Sequence, residues 1–249
     1  MSTTSKILNR VLKLSTKFFV DIGASNDPNE SQSEILLSNG WSGVMFECNP
    51  EKFVPLVERM KNYPVKVISQ KVTLDNIIPL LKDAGVPNDF YLSLDIDGYD
   101  FYILSKILTE YQPQLIISEI NEKIPPPIKF TINYDPNYWW DVSHFYGYSI
   151  SMLEDIKGYK VESLDFNNVI MTPGVQEIPL SDIYNNGYWN MAKREYNPYN
   201  RSNASHGRPS YNEDFDPIYT MSYDDQIKFI NEKFKKFAGK YTIDGKVMQ

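Results

Sequence analysis

FFVDIGASNDPNESQSEIL, residues 18–36, reads as a strand that runs into a turn of small residues and then into a helix. Phe18–Ile22 is aromatic or β-branched apart from Asp21, and Gly23 breaks the run, as at the end of a buried strand. Outward from there, short apolar runs alternate with longer segments of helical period as far as about Met171. Strands are expected at Phe18–Ile22, Gly43–Glu47, Val65–Ser69, Phe90–Leu94 and Leu115–Glu119. Helices are expected at Ser31–Asn39, Glu51–Lys61, Leu74–Ala84 and Tyr99–Glu110. Because the strands are apolar on consecutive positions, both faces of their sheet should be covered. The pattern predicts an α/β fold, a mostly parallel sheet with helices on both faces.

After the fifth strand the pattern changes. Ile124–Asp141 carries Pro125, Pro126, Pro127 and Pro136 among Tyr134, Tyr138, Trp139 and Trp140. Consecutive prolines propagate neither a helix nor a central strand, so this segment is expected to be an ordered loop insertion. A helix is expected over Tyr148–Lys157. The close-set runs Tyr159–Leu164 and Asn168–Met171 predict a terminal antiparallel hairpin at one end of the sheet. The stretch from Pro173 onward is rich in Asn, Tyr, Pro and charge, with one amphipathic segment, Asp224–Phe237. The expected division is an N-terminal extension over 1–17, a core domain over 18–172 with an insertion at 122–142, and a polar C-terminal extension over 173–249 ending in a helix.

Composition removes several classes of function. A net charge of -7 offers no general attraction to nucleic acid or to an anionic membrane, so neither is an expected partner. No apolar run approaches the roughly 20 residues that span a bilayer, and the first residues lack the apolar core of a secretory signal. Cys48 is the single cysteine, so no internal disulfide forms and a cytoplasmic setting is expected.

In an open α/β sheet, ligands sit outside the carboxyl ends of the strands, where the first turn must let a ligand approach the backbone. Gly23 and Ala24 provide that access. A dinucleotide site wants further glycines where this turn has Ser25 and Asn26, which weakens a pyrophosphate reading and leaves a nucleoside possible. Glu47 ends the run GVMFE and lies 24 positions after Gly23, about where an acidic side chain grips ribose hydroxyls. VDIGASND, GVMFECNPEKF and YLSLDIDGYDFYIL, in this order and spacing, resemble the motifs of FkbM-type S-adenosylmethionine-dependent methyltransferases over about Phe18–Met171. Asn26 and Asp27 stand where many members carry a later glycine, and Cys48 where they carry proline. The resemblance implies a Rossmann-like methyltransferase fold and S-adenosyl-L-methionine as cofactor. It further implies that Asp21, Gly23, Ala24 and Ser25 surround the methionine part, that Glu47 binds the ribose, and that Ser69–Val72, Ser69 and Gln70 first among them, lie by the adenine.

LSLDIDGYD crowds Asp95, Asp97 and Asp100 at the end of the fourth strand. Such carboxylates repel unless a cation, a proton or solvent lies among them. Asp95 and Asp97 share a strand parity and are expected at the site, Asp95 beside the cofactor as well. Asp100 is expected to start the next helix, where a carboxylate is favoured. The fifth strand contributes Glu119, and His144 follows the aromatic loop. Asp97, Glu119 and His144 are thus a candidate set for Mg or Mn, while a metal-free base drawn from His144, Asp95, Asp97 or Glu119 is equally compatible. The aromatic segment Tyr134–Trp140 is expected to wall an acceptor pocket, and Arg201, His206 and Arg208 to be solvated. The reading is a methyltransferase acting on an oxygen of a small polar acceptor such as a sugar, a nucleotide-sugar or a phosphorylated metabolite, with homo-oligomer formation left open. Its rivals are a non-catalytic nucleoside-binding or scaffold protein of the same fold, and an NAD-dependent oxidoreductase.

Overall fold

In the computed structural model, which describes residues 14–28, 31, 33–189 and 213–249, the first apolar run is strand β1, Phe18–Ile22. Its side chains alternate between two buried layers. Val20 and Ile22 join one hydrophobic cluster and Phe19 joins the other, so each face of the strand meets its own core. The same division holds in β2 (Ser42–Phe46), β4 (Tyr91–Leu94) and β5 (Leu115–Glu119), while β3 (Val65–Ile68) is less buried at one edge. β1 to β5 pair in parallel, in the spatial order β3-β2-β1-β4-β5. The crossovers carry α1 (Glu34–Leu37), α2 (Pro50–Met60), α3 (Ile77–Asp83) and α4 (Asp100–Ile107). The order reverses between β1 and β4, which opens a crevice at their carboxyl ends.

The expected hairpin is present as β7 (Tyr159–Asp165) and β8 (Asn168–Pro173). It completes a seven-stranded sheet, with β8 antiparallel to β5 and β7 at the edge. The α/β class expected from the sequence is therefore the class observed, a mostly parallel sheet with helices on both faces, with strand ends displaced by at most two residues and helices trimmed by one to three residues at their ends, except that α2 starts one residue earlier.

Three expectations fail. Ile124–Asp141 is not loop throughout. Once past the prolines the chain forms β6, Phe130–Ile132, whose backbone pairs with β9, Tyr241–Ile243. With β10, Lys246–Val247, these make a separate antiparallel sheet. The segment expected as a helix at Tyr148–Lys157 is a 3₁₀ helix over Ile150–Asp155, because Ser149 is held extended with its hydroxyl on the Ile128 carbonyl (2.6 Å). The region beyond 173 is not an appended polar tail. Ile183, Tyr184, Tyr188, Phe215, Ile218, Ile230 and Phe234 belong to the same buried cluster as Val20 and Ile22, so 173–189 and 213–249 are part of the core. The amphipathic stretch Asp224–Phe237 divides at Phe234 into α6 (Tyr223–Lys233), capped by Ser222, and a 3₁₀ turn at Lys235–Phe237. α5, Leu180–Tyr184, precedes it. Arg201, His206 and Arg208 lie outside the described residues.

Candidate active site at the switch point

The crevice is a cleft of about 410 Å³, within the usual range for small-molecule sites. Its floor and sides come from the strand ends: Gly23 after β1, Glu47 to Asn49 after β2, Gln70 to Val72 after β3, and Asp95 to Asp97 after β4. Tyr138, Trp139, Trp140 and Val142 close it from the insertion. Gly23 is what lets β1 and β4 end together. Its φ is +86°, and a Cβ built on it would stand 1.6 Å from the Asp95 carbonyl oxygen, a position no side chain can occupy. The N–H groups of Gly23 and Ala24 both donate to the Phe46 carbonyl at 3.0 Å, so the turn is tied to β2.

The motif ECNPE follows from local chemistry. Asn49 caps α2 by accepting from the Glu51 N–H at 2.9 Å, and Pro50 takes the first helical position, where a missing N–H costs nothing. One oxygen of Glu47 accepts from the Asn49 N–H at 2.6 Å. That bond orients the carboxylate in the cleft wall and leaves most of its lone pairs for a ligand.

Of the residues assigned to the methionine part, Gly23 alone forms cleft wall. Asp21 is buried beneath it, accepting from the Ser33 hydroxyl at 2.8 Å, and burial pushes its pKa from 3.8 up to about 6 despite that bond. Ala24 is buried, and Ser25 turns inward, its carbonyl accepting from Arg59 at 2.8 Å and its hydroxyl from the Asp27 N–H at 3.0 Å. Beyond β3, Ser69 is exposed and outside the wall, whereas Gln70, Lys71 and Val72 line it.

The acidic residues do gather. One carboxylate oxygen each from Asp95, Asp97 and Glu119 lies within 4.8 Å of the others. Asp95 and Asp97 open on the cleft, Asp97 with its backbone in the left-handed region at φ +53°, and Glu119 forms a buried floor behind them. Glu119 accepts from the Asn167 side-chain amide through Oε1 at 2.5 Å. Loss of bulk solvent, then mutual repulsion, pushes the pKa of Asp95 and of Glu119 upward. That of Asp97 also rises on burial, against the pull of Lys52. Asp100 starts α4 as expected, and its carboxylate folds the preceding turn by accepting from the N–H groups of Ile96 and Gly98 at 2.9 Å. Burial pushes its pKa to about 6.

His144 does not join this set. Its Nε2 lies 3.0 Å from Asp214 and its ring meets the edge of Phe215 at 5.0 Å. The chain returning at 213 thus takes the face that was expected to look into the site, and His144 is neither in the cleft wall nor with the acidic trio. Burial, then the charge of Lys123, lowers its pKa.

The sequence singles out Lys52 not at all and Lys71 only as one of the residues after β3. Lys52 lines the cleft. Lys71 donates to the Tyr138 carbonyl at 2.6 Å and lies 4.5 Å over the Trp139 ring, pinning the aromatic wall to the end of β3. Tyr138 packs on Gly98 and donates its hydroxyl to the Phe145 carbonyl. Lys52, in the first turn of α2, and Lys71, in the loop after β3, leave no periodic signal of a site. Past β5, Glu122 and Lys123 are fully buried. Lys123 donates to Glu122 at 3.0 Å and to the Tyr146 hydroxyl at 2.8 Å, and that hydroxyl donates to Glu122 at 2.8 Å.

No protein-family model and no curated protein sequence matches this chain. Among solved structures it is similar to magnesium protoporphyrin IX methyltransferase from Synechocystis PCC 6803 with bound S-adenosylmethionine (10% identity, 69% of this chain, 78% of that one, TM-score 0.44). It is also similar to an O-methyltransferase from Bacillus cereus in complex with S-adenosylhomocysteine (13% identity, 69% and 78%, TM-score 0.43). A third likeness is to an S-adenosylmethionine-dependent methyltransferase from Clostridium acetobutylicum (9% identity, 69% and 91%, TM-score 0.43). Among the described residues, no helix is long and apolar enough to cross a membrane.

Proposed function

We propose that this chain is an S-adenosylmethionine-dependent O-methyltransferase, of FkbM type, acting on a small polar acceptor such as a sugar, a nucleotide-sugar or a phosphorylated metabolite. The observation that carries the reading is Glu47, its carboxylate anchored by the Asn49 N–H and presented to the cleft where the strand order reverses. The dinucleotide alternative is disfavoured because Ser25 and Asn26 stand where its turn wants further glycines.

In this reading Glu47 holds the ribose, Gln70 and Val72 flank the base, and Gly23 faces the methionine part. S-adenosylmethionine, when bound, supplies an electrophilic methyl group. The chain's own task is to hold the acceptor hydroxyl in line and take its proton. Asp95 and Asp97 face that part of the cleft, and carboxylates with raised pKa values are better bases near neutral pH than ordinary ones. The inert-scaffold alternative gives these crowded acids no task. A cytoplasmic setting belongs to the proposal, since Cys48 has no partner for an internal disulfide.

Calorimetry tests it. S-adenosylhomocysteine should bind and NAD should not, and Glu47→Ala should weaken binding by about 1.5–3 kcal/mol, the worth of hydrogen bonds to a charged group. Binding of NAD in place of the homocysteine nucleoside ends the proposal.

A further inference from the structure

The aromatic wall closes the cleft, yet little holds its middle in place. At one end Tyr138 is fixed, packed on Gly98 with its hydroxyl on the Phe145 carbonyl, and at the other Phe145 is buried. Between them, among the described residues, no backbone hydrogen bond ties 139–142 to another element. Two lysine side chains supply the hold. Lys71 spans the Tyr138 carbonyl at 2.6 Å and the Trp139 ring at 4.5 Å, and Lys236 reaches Asp141 at 3.0 Å. Trp140 gives its indole N–H to its own loop, at the Ser143 carbonyl 2.7 Å away, and meets Tyr146 edge-on.

The segment also resists its own conformation. Val142 is β-branched, yet its φ is +64°, in the left-handed region. Strain of that kind is comparable to what two exposed cation contacts supply. The closed wall is therefore balanced against an open one, and a ligand that touches it decides between them. Trp139 offers the surface for such a contact, since it lines the cleft while 62% exposed.

We propose that residues 139–142 are a hinged flap, latched by Lys71 and Lys236, that opens to admit a ligand and closes over it with the Trp139 ring against the ligand. Lys71 is then a positioning residue that acts through Trp139. That the ligand is S-adenosylmethionine rests on the methyltransferase reading; the opening does not.

Cys48, the only cysteine of the chain, lies in the cleft wall and reports on the flap. The full chain is treated with N-ethylmaleimide, an uncharged reagent, and the rate of Cys48 alkylation is read by mass. Lys71→Met and Asp141→Asn should each raise that rate by about two- to fivefold, the effect of losing one cation contact, and Lys71→Arg should return it to the parent value. For Lys71→Met a fixed wall predicts the reverse, because the Lys71 charge favours the Cys48 thiolate. Val142→Asn, which accepts the left-handed backbone more readily, should lower the rate. Asp141 is exposed, so Asp141→Asn decides the question even where Lys71→Met does not fold. A rate that neither substitution raises overturns the flap. Bound S-adenosylhomocysteine should quench tryptophan fluorescence in the parent and not in Trp139→Phe, and equal quenching in both overturns closure over the ligand. Latch effects in a chain that calorimetry shows not to bind S-adenosylhomocysteine reject the methyltransferase reading alone, and binding without latch effects rejects the flap alone.

Discussion

Glu119 and Glu122 sit one helical turn's length of chain apart, both almost wholly buried, yet their surroundings are opposite. Glu122 has Lys123 on one oxygen and the Tyr146 hydroxyl on the other. Glu119 has one amide, and two further carboxylates in front of it. A buried charge matched in charge and hydrogen bonds is architecture. One left unmatched, at the carboxyl end of a parallel strand, is a candidate functional group.

The largest expected effect breaks the matched side. Lys123→Met removes the buried ammonium beside Glu122 and should cost about 3–5 kcal/mol in urea unfolding, part of which Glu122→Gln in the same chain recovers. A cost below about 1 kcal/mol would erase the contrast. Next comes Asp21, beneath the unmatched side. Its pKa rises from 3.8 to about 6 on folding, so the folded chain keeps a proton that the unfolded chain releases. The favourable contribution is full below pH 3.8 and is lost as pH climbs through about 6. Asp21→Asn should therefore gain, relative to the parent, up to about 3 kcal/mol between pH 4 and pH 8. A pH-independent difference would mean that Asp21 is matched after all. The smallest effect is His144→Ala. It loses a half-exposed contact with Asp214 and should cost about 1 kcal/mol or less, with S-adenosylhomocysteine binding and turnover unchanged. A large fall in turnover would return His144 to the site.

How much of this was readable in the sequence varies with the range of the interaction. β1 to β5 are contiguous apolar runs whose burial is written in each run alone, so FFVDI and LIISE were located to the residue. Glu47, Asp95, Asp97 and Glu119 could be gathered because ligands meet strand ends in such sheets. β6 was missed although Ile128, Phe130 and Ile132 alternate, because three prolines precede it and its partner β9 lies far along the chain. His144 was misassigned for the same reason, since Asp214, which claims its Nε2, shares no local pattern with it. The burial of Phe215 and Ile218 was masked by the polar residues around them.

That distant pairing governs the order in which the molecule can be built. β6 leads directly into the aromatic wall of the cleft, and its partner strand is held to it by backbone pairing and by the Thr242 hydroxyl donating to Asn133 at 2.7 Å, 109 residues away in sequence. On a ribosome the strand ends that line the cleft exist long before residues 241–243 are polymerised. Contacts of such separation are slow to close. A nascent chain therefore presents a half-built cleft, open on the side of its aromatic wall, until β9 arrives to pair with β6.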